Sequence, residues 1–241
     1  MTRHLGRRAA ALIALSVVAS TGCAAVKAAN TIRHDVDNNK ATIASFTNQL
    51  KSSEAIPFQA TYVTTGSSPA TIVYAVQPPN GLAFTDTPVH GKTATTIIVN
   101  SSGEYDCKVP TSGSGARPSC QMIGPVKSQT ENKIFDFYTP SHWVTFLRDF
   151  SLAAGFAGDK VTSSTMTVNG FAMNCVDFVA SGVSGKSTIC TTSQGILGYV
   201  KVASDKTKFE IKAYTGSPSS SLFALPPRAK ITTIPTPSTS P

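Results

Sequence analysis

The chain has 241 residues, 41% of them hydrophobic and 14% charged, with a formal net charge of +8. That length suits one domain of ordinary size, able to bury a real core. The 21 Lys and Arg are scattered rather than run together and no nucleic-acid-binding motif accompanies them, which excludes nucleic acid as the expected partner.

The first element is a leader. Arg3, His4, Arg7 and Arg8 open the chain with positive charge, residues 9–20 are a short uncharged apolar run, and small residues follow. This is the layout of an export signal over residues 1–22, and its apolar part is too short to be a permanent membrane span. Arg7-Arg8 hints at the twin-arginine route, but the flanking residues fit it poorly, so the general secretory route is expected. Ser20-Thr21-Gly22-Cys23 resembles a bacterial lipobox, in which the Cys becomes the lipid-modified first residue of the mature chain. Ser20 stands where Leu is usual. The alternative is a plain secreted protein cut near residues 22–24. Removing Arg3, Arg7 and Arg8 leaves 18 basic against 13 acidic side chains, a net of +5. This mild excess is compatible with anionic lipid or wall polymer nearby. No second apolar stretch is long enough to span a membrane, so Cys23 is the expected anchor, on the outer face of the cell membrane.

Five cysteines are an odd count for an exported chain, and lipid on Cys23 leaves four. Cys107 and Cys120 bracket "KVPTSGSGARPS"; Cys175 and Cys190 bracket two strand-like runs around a Gly/Ser turn. Local disulfides need the least rearrangement of the chain, with nested or crossed pairing left open, and disulfides persist outside the cytosol. Metal binding is not expected, because CxxC spacing and His partners are both lacking.

After the leader comes a lipid-anchored spacer over residues 23–36, and Ile32, Val36, Ile43, Phe46 and Leu50 recur at helical spacing with polar residues between. An amphipathic helix over residues 37–51 follows, the alternative being a loosely ordered spacer. From Pro57 the chain alternates. "FQATYVTT" puts Phe58, Ala60, Tyr62 and Thr64 on one face, and "PATIVYAVQPP" does the same for Ile72, Tyr74 and Val76. "KTATTIIVN", "GEYDCKV", "KVTSSTMTVNG", "FAMNCVDFVAS", "KSTICTT", "GILGYVKVA", "TKFEIKAYTG" and "RAKITTI" continue in kind. Short β-rich runs between Gly, Ser and Asn turns indicate an antiparallel sheet built from hairpins. One segment breaks the pattern. Trp143, Phe146, Leu147, Phe150 and Ala154 fall on one face of a helix, with Thr139 and Pro140 as its N-terminal signal and Gly155 or Gly158 to end it. That face must bury itself against the sheet, as plain core or as one wall of a ligand site. Residues 235–241 form a Pro/Ser/Thr-rich tail that reads as disordered.

This order of elements resembles the LolA-like lipoprotein-carrier fold. "LFALPPRAKI" resembles the Phe-x-x-Pro-Pro segment near the end of those carriers, and "TVNGFAMNC…STICTTSQGILGYVKV" resembles a cysteine-linked strand region of exported actinobacterial lipoproteins. The resemblance spans roughly residues 41–234 and rests on turn residues and cysteines. It implies an α+β domain over residues 37–234. Its frame is a half-open antiparallel β-barrel, a strongly curved sheet, with an N-terminal helix and a mid-chain helix covering the concave face.

Catalytic signatures are missing: no HExxH, GxSxG, P-loop or GxGxxG occurs. His142 reads as a cap or surface residue and Asp136 as a solvated turn residue; Asn100-Ser-Ser is a sequon by pattern only. No catalytic residue, metal or cofactor is therefore expected, and the protein is not expected to be an enzyme. The resemblance implies an envelope lipoprotein that binds or carries a hydrophobic ligand (lipid, lipidated glycan or acylated protein). The ligand would lie in a concave apolar hollow walled by Trp143, Phe146, Leu147 and Phe150. The alternative is a surface-anchored interaction or sensory module of the same shape with a filled core. Either way a monomer is expected, held at the membrane by its N-terminal lipid.

Overall fold

The computed structural model describes residues 40–51, 56–66, 69–111, 115–124, 160–179, 184–203 and 208–233. Cys23, and Trp143, Phe146, Leu147 and Phe150 of the expected mid-chain helix, lie outside the described residues.

The described strands are β1 (Phe58–Thr65), β2 (Ala70–Gln77), β3 (Gly81–Pro88), β4 (Thr93–Asn100), β5 (Gly103–Pro110) and β6 (Ser119–Gly124). Then come β7 (Lys160–Val168), β8 (Phe171–Val179), β9 (Ser187–Thr192), β10 (Leu197–Lys201), β11 (Lys208–Thr215) and β12 (Lys230–Thr233). They make one sheet in the order β12-β6-β5-β4-β3-β2-β1-β11-β10-β9-β8-β7. Two of them, β3 and β6, were not among the runs read as strands from sequence. "GLAFTDTP" and "SCQMIG" are short and half polar, and it is the neighbouring strands that hold them extended.

The sheet is open and curved, as the half-open frame expected from sequence requires, with β12 and β7 at its two edges. One point departs from that expectation: the sheet is not wholly antiparallel, because β12 runs parallel to β6. The 3-10 turn Ser220–Phe223 belongs to a connection that crosses back over the sheet and lays β12 beside β6, and such a crossover produces a parallel pair.

Register assigns the faces, since side chains alternate along each strand. Phe58↔Val76, Ala60↔Tyr74 and Tyr62↔Ile72 are opposed, and Leu82 and Phe84 of β3 continue the same row to Val99 and Ile97 of β4. On this face lies helix α1, residues 40–51. Its Ile43, Phe46 and Leu50 are 3%, 5% and 1% exposed and join the main core with Tyr62 and Tyr74. Burying each such side chain contributes about 1.5–3 kcal/mol. Buried Thr47 satisfies its hydroxyl within the helix, donating to Ala44 O at 3.0 Å. A smaller core lies on the opposite face, where Ile98, Tyr105, Cys107 and Cys120 are covered by Leu225 and Ala229 of the C-terminal connection. The side-chain amide of Asn100 pins that connection by donating to Phe223 O at 2.9 Å.

Cys107 is bonded to Cys120 and Cys175 to Cys190. Each pair is directly opposed on neighbouring strands. Loops of 13 and 15 residues each stabilise the fold by about 3 kcal/mol in the chain-entropy model.

Candidate functional site

The β7–β8 hairpin turns on Asn169-Gly170, both at positive φ (52° and 84°). This is the two-residue turn whose twist matches the flanking strands. Val168 and Phe171 close it, and β9 ends opposite Met173, so the hairpin tip overhangs the β9–β10 turn. The tip is tied down at β11. A register shift between β1 and β11 at Thr61/Tyr62 makes Lys212 the extra residue. Ile211 O accepts the Asn169 amide at 2.7 Å, and Lys212 Nζ donates to Asn169 Oδ1 at 2.9 Å.

Inside this overhang runs a trough. Its upper part, about 480 Å³, lies between Thr42, Ser45, Phe46 and Gln49 of α1 and Ser163, Thr165, Asn174 and Val176 of the hairpin. A second space of about 480 Å³ shares Thr165 and Asn174 and continues past Thr167 and Ala172 to Ser193. Gln49 sets the helix over the hairpin. Its amide donates to Thr192 O at 3.2 Å, and its carbonyl accepts from Asn174 at 3.2 Å and Thr191 at 3.4 Å. The described walls are hydroxyls and amides around Phe46, Val176 and Cys175 in the upper part and around Met166, Ala172 and Met173 in the lower, with no ionisable side chain among them. Such a surface offers hydrogen bonds to neutral polar groups beside apolar contact, and its described walls hold no charge to pair with an ion.

One buried carboxylate braces the hairpin from the opposite face. Asp177, 4% exposed, accepts from Thr188 Oγ1 at 2.6 Å, Ser164 Oγ at 2.8 Å and Lys186 Nζ at 3.0 Å. Burial pushes its carboxyl up, but those hydrogen bonds and the Lys186 charge outweigh it and leave it below the usual carboxylate range. This group joins β7, β8 and β9 and is structural. Asp86 is the contrary case. It lies opposite Ile72 and Thr95 on the α1 face, its Oδ1 is buried without a hydrogen-bond partner, and burial raises its pKa. Among the described residues no group of three or more His, Cys, Asp or Glu is placed to hold a metal ion, and no helix is long and apolar enough to cross a membrane.

The trough residues were not picked out by the sequence. Ser163, Thr165 and Asn174 carry no motif, and only the N-G turn signal marks the hairpin that presents them. The aromatic candidates Trp143, Phe146, Leu147 and Phe150 lie outside the described residues, as does Cys23.

No family model matches the chain, and no curated protein matches it. Among solved structures it is similar to one titled "Crystal structure of MucB", at 12% identity and a TM-score of 0.45, over 78% of this chain and 64% of that one. The chain thus spans less than two thirds of that protein's length.

Proposed function

We propose that this is a cell-envelope binding protein, lipid-anchored through Cys23, that holds an amphiphilic ligand in the trough between α1 and the β7–β8 hairpin. The observation that carries the reading is the character of that trough. It is large enough for part of a small ligand and lined by hydroxyls and amides beside Phe46 and Val176. Of the ligand classes suggested by the resemblance to lipoprotein carriers, a lipidated glycan fits these walls best. Its sugar hydroxyls would meet Gln49, Asn174 and the Ser/Thr groups, and each buried methylene of its lipid would add about 0.8 kcal/mol. On this reading the protein binds and does not catalyse. Two disulfides support an extracytoplasmic setting.

The test is native mass spectrometry with organic extraction on the full chain purified from a bacterial envelope. A bound amphiphile is expected, lost in Ser45→Trp without a change in melting temperature. Ligand-free protein, from a preparation in which a known carrier keeps its lipid, would overturn the reading. Anchoring is checked separately: Cys23→Ser should move the protein from the membrane to the soluble fraction.

A second reading has its own observation. Ile43, Phe46 and Leu50 are buried in one core with residues of β1–β4 and β8–β11, as a ligand-free interaction module with a packed core requires. Clean ligand-free protein would favour it.

A further inference from the structure

Strand β7 ends the sheet. Natural edge strands are commonly shortened, bulged, charged or broken by Pro to prevent pairing with another chain. Of these devices β7 carries only a charge at its first residue, Lys160. It has 9 residues, "KVTSSTMTV", with a Lys only at its start, and its pairing with β8 runs without a register shift from Lys160 to Val168. Among the described strands none is paired with its other side.

The phase of the ladder says which groups are open. In a two-residue hairpin the closing pair, here Val168 and Phe171, exchanges both hydrogen bonds. Every second residue back from Val168 therefore bonds to β8, and Val161, Ser163, Thr165 and Thr167 turn their N–H and C=O groups outward. By the same alternation these four residues carry their side chains on the α1 face. Ser163, Thr165 and Thr167 are exposed there and line the trough.

We infer that the free edge of β7 is a docking site for an extended segment of a partner protein, which adds a strand to the sheet and directs alternate side chains over the trough. Residues hydrogen-bonded opposite Ser163, Thr165 and Thr167 share their face, so backbone pairing supplies affinity and the trough selects side chains. Among the described residues the lining carries no ionisable side chain, which selects neutral ones, since a charge placed against those walls would lose water without gaining a partner there. A second copy of this chain is the poorer fit. Paired through its own β7, it would place Ser and Thr side chains over spaces of about 480 Å³ and leave them largely unfilled. The inference shares the trough with the ligand reading above but rests on the free edge, and the two are told apart because its test variants sit on β7 whereas that reading's variant sits on α1.

The probe is an arrayed library of short synthetic peptides, with alternate positions either neutral or charged, read with the labelled full chain. Peptides with neutral alternate residues should be retained about tenfold more strongly than their charged counterparts, and Thr165→Pro should weaken them by about tenfold. Pro there removes an outward N–H and spares the bonds to β8. Should Thr165→Pro fail to fold, Thr165→Lys, at an exposed position, carries the test by placing a charge on the docking face. Binding unchanged in both variants, or no preference for neutral peptides, overturns the assignment. A purified dimer that either variant turns into a monomer overturns it in favour of self-pairing.

Discussion

Replacing Leu50 by Ala tests whether α1 is part of the core or a passenger on it. Leu50 is 1% exposed and sits in a cluster that includes Tyr62 and Tyr74, each also 1% exposed. Removing its branched end forfeits the transfer energy and leaves a cavity that ring side chains on a sheet cannot readily close, so the expected loss is about 3 kcal/mol, within the range of about 2–5 for such changes. The described part of the helix is residues 40–51, and a helical stretch of about that length is marginal in water by itself. It is held by what it buries, and Ile43 and Phe46 alone would hold it less well. Urea unfolding followed by far-UV circular dichroism and by the single Trp reads the effect. The midpoint should fall while the slope stays near wild type, with a thermal midpoint about 10 °C lower. Ser45→Ala, on the trough wall, should change stability by less than about 0.5 kcal/mol. If Leu50→Ala behaved like Ser45→Ala, α1 would not be docked on the sheet as described, and the trough would lose one of its walls.

Asp177 and Asp86 should respond to pH with opposite signs. Asp177 is held below the ordinary carboxylate range, so its contribution is present above the unfolded-state pKa and is lost as pH falls through the lower folded value. Asp177→Asn should cost about 2 kcal/mol at neutral pH and flatten the acid limb of a stability-pH curve; an unchanged limb would show that the Ser164, Thr188 and Lys186 bonds are not formed. Asp86 is raised by burial. The folded state therefore binds its proton more tightly than the unfolded one, and stability is gained as pH falls through the folded value. Asp86→Asn should stabilise by about 1 kcal/mol at neutral pH, with the advantage gone below about pH 4; a destabilised variant would mean that Asp86 has a partner. Replacing Cys175 and Cys190 together by Ser should cost about 3 kcal/mol in urea unfolding. A non-reducing peptide map of the wild type should contain the 107–120 and 175–190 links, and a crossed pattern would contradict the sheet register.

Much of the local structure was legible in the residues. The i, i+3, i+7 spacing of Ile43, Phe46 and Leu50 predicts the buried face of α1, because helical period and burial are both read from one short window. Alternation marks β1 and β2, and Asn169-Gly170 marks the β7–β8 turn, since positive φ at two consecutive positions is a local demand. Directly opposed strands bring each local cysteine pair together. The tertiary structure alone places β1 beside β11 and β12 parallel to β6, pairings between distant segments that no local window contains. It alone recovers β3 and β6, half-polar runs held extended by their neighbours. It alone shows that Ile43, Phe46 and Leu50 of α1 join the main core, that a trough with scattered Ser, Thr, Asn and Gln among its described walls lies beside the helix, and that Asp177 is satisfied while Asp86 Oδ1 is not. Periodicity records which way a side chain faces, whereas the partner it meets there depends on sheet order, and sheet order is set by long-range pairing.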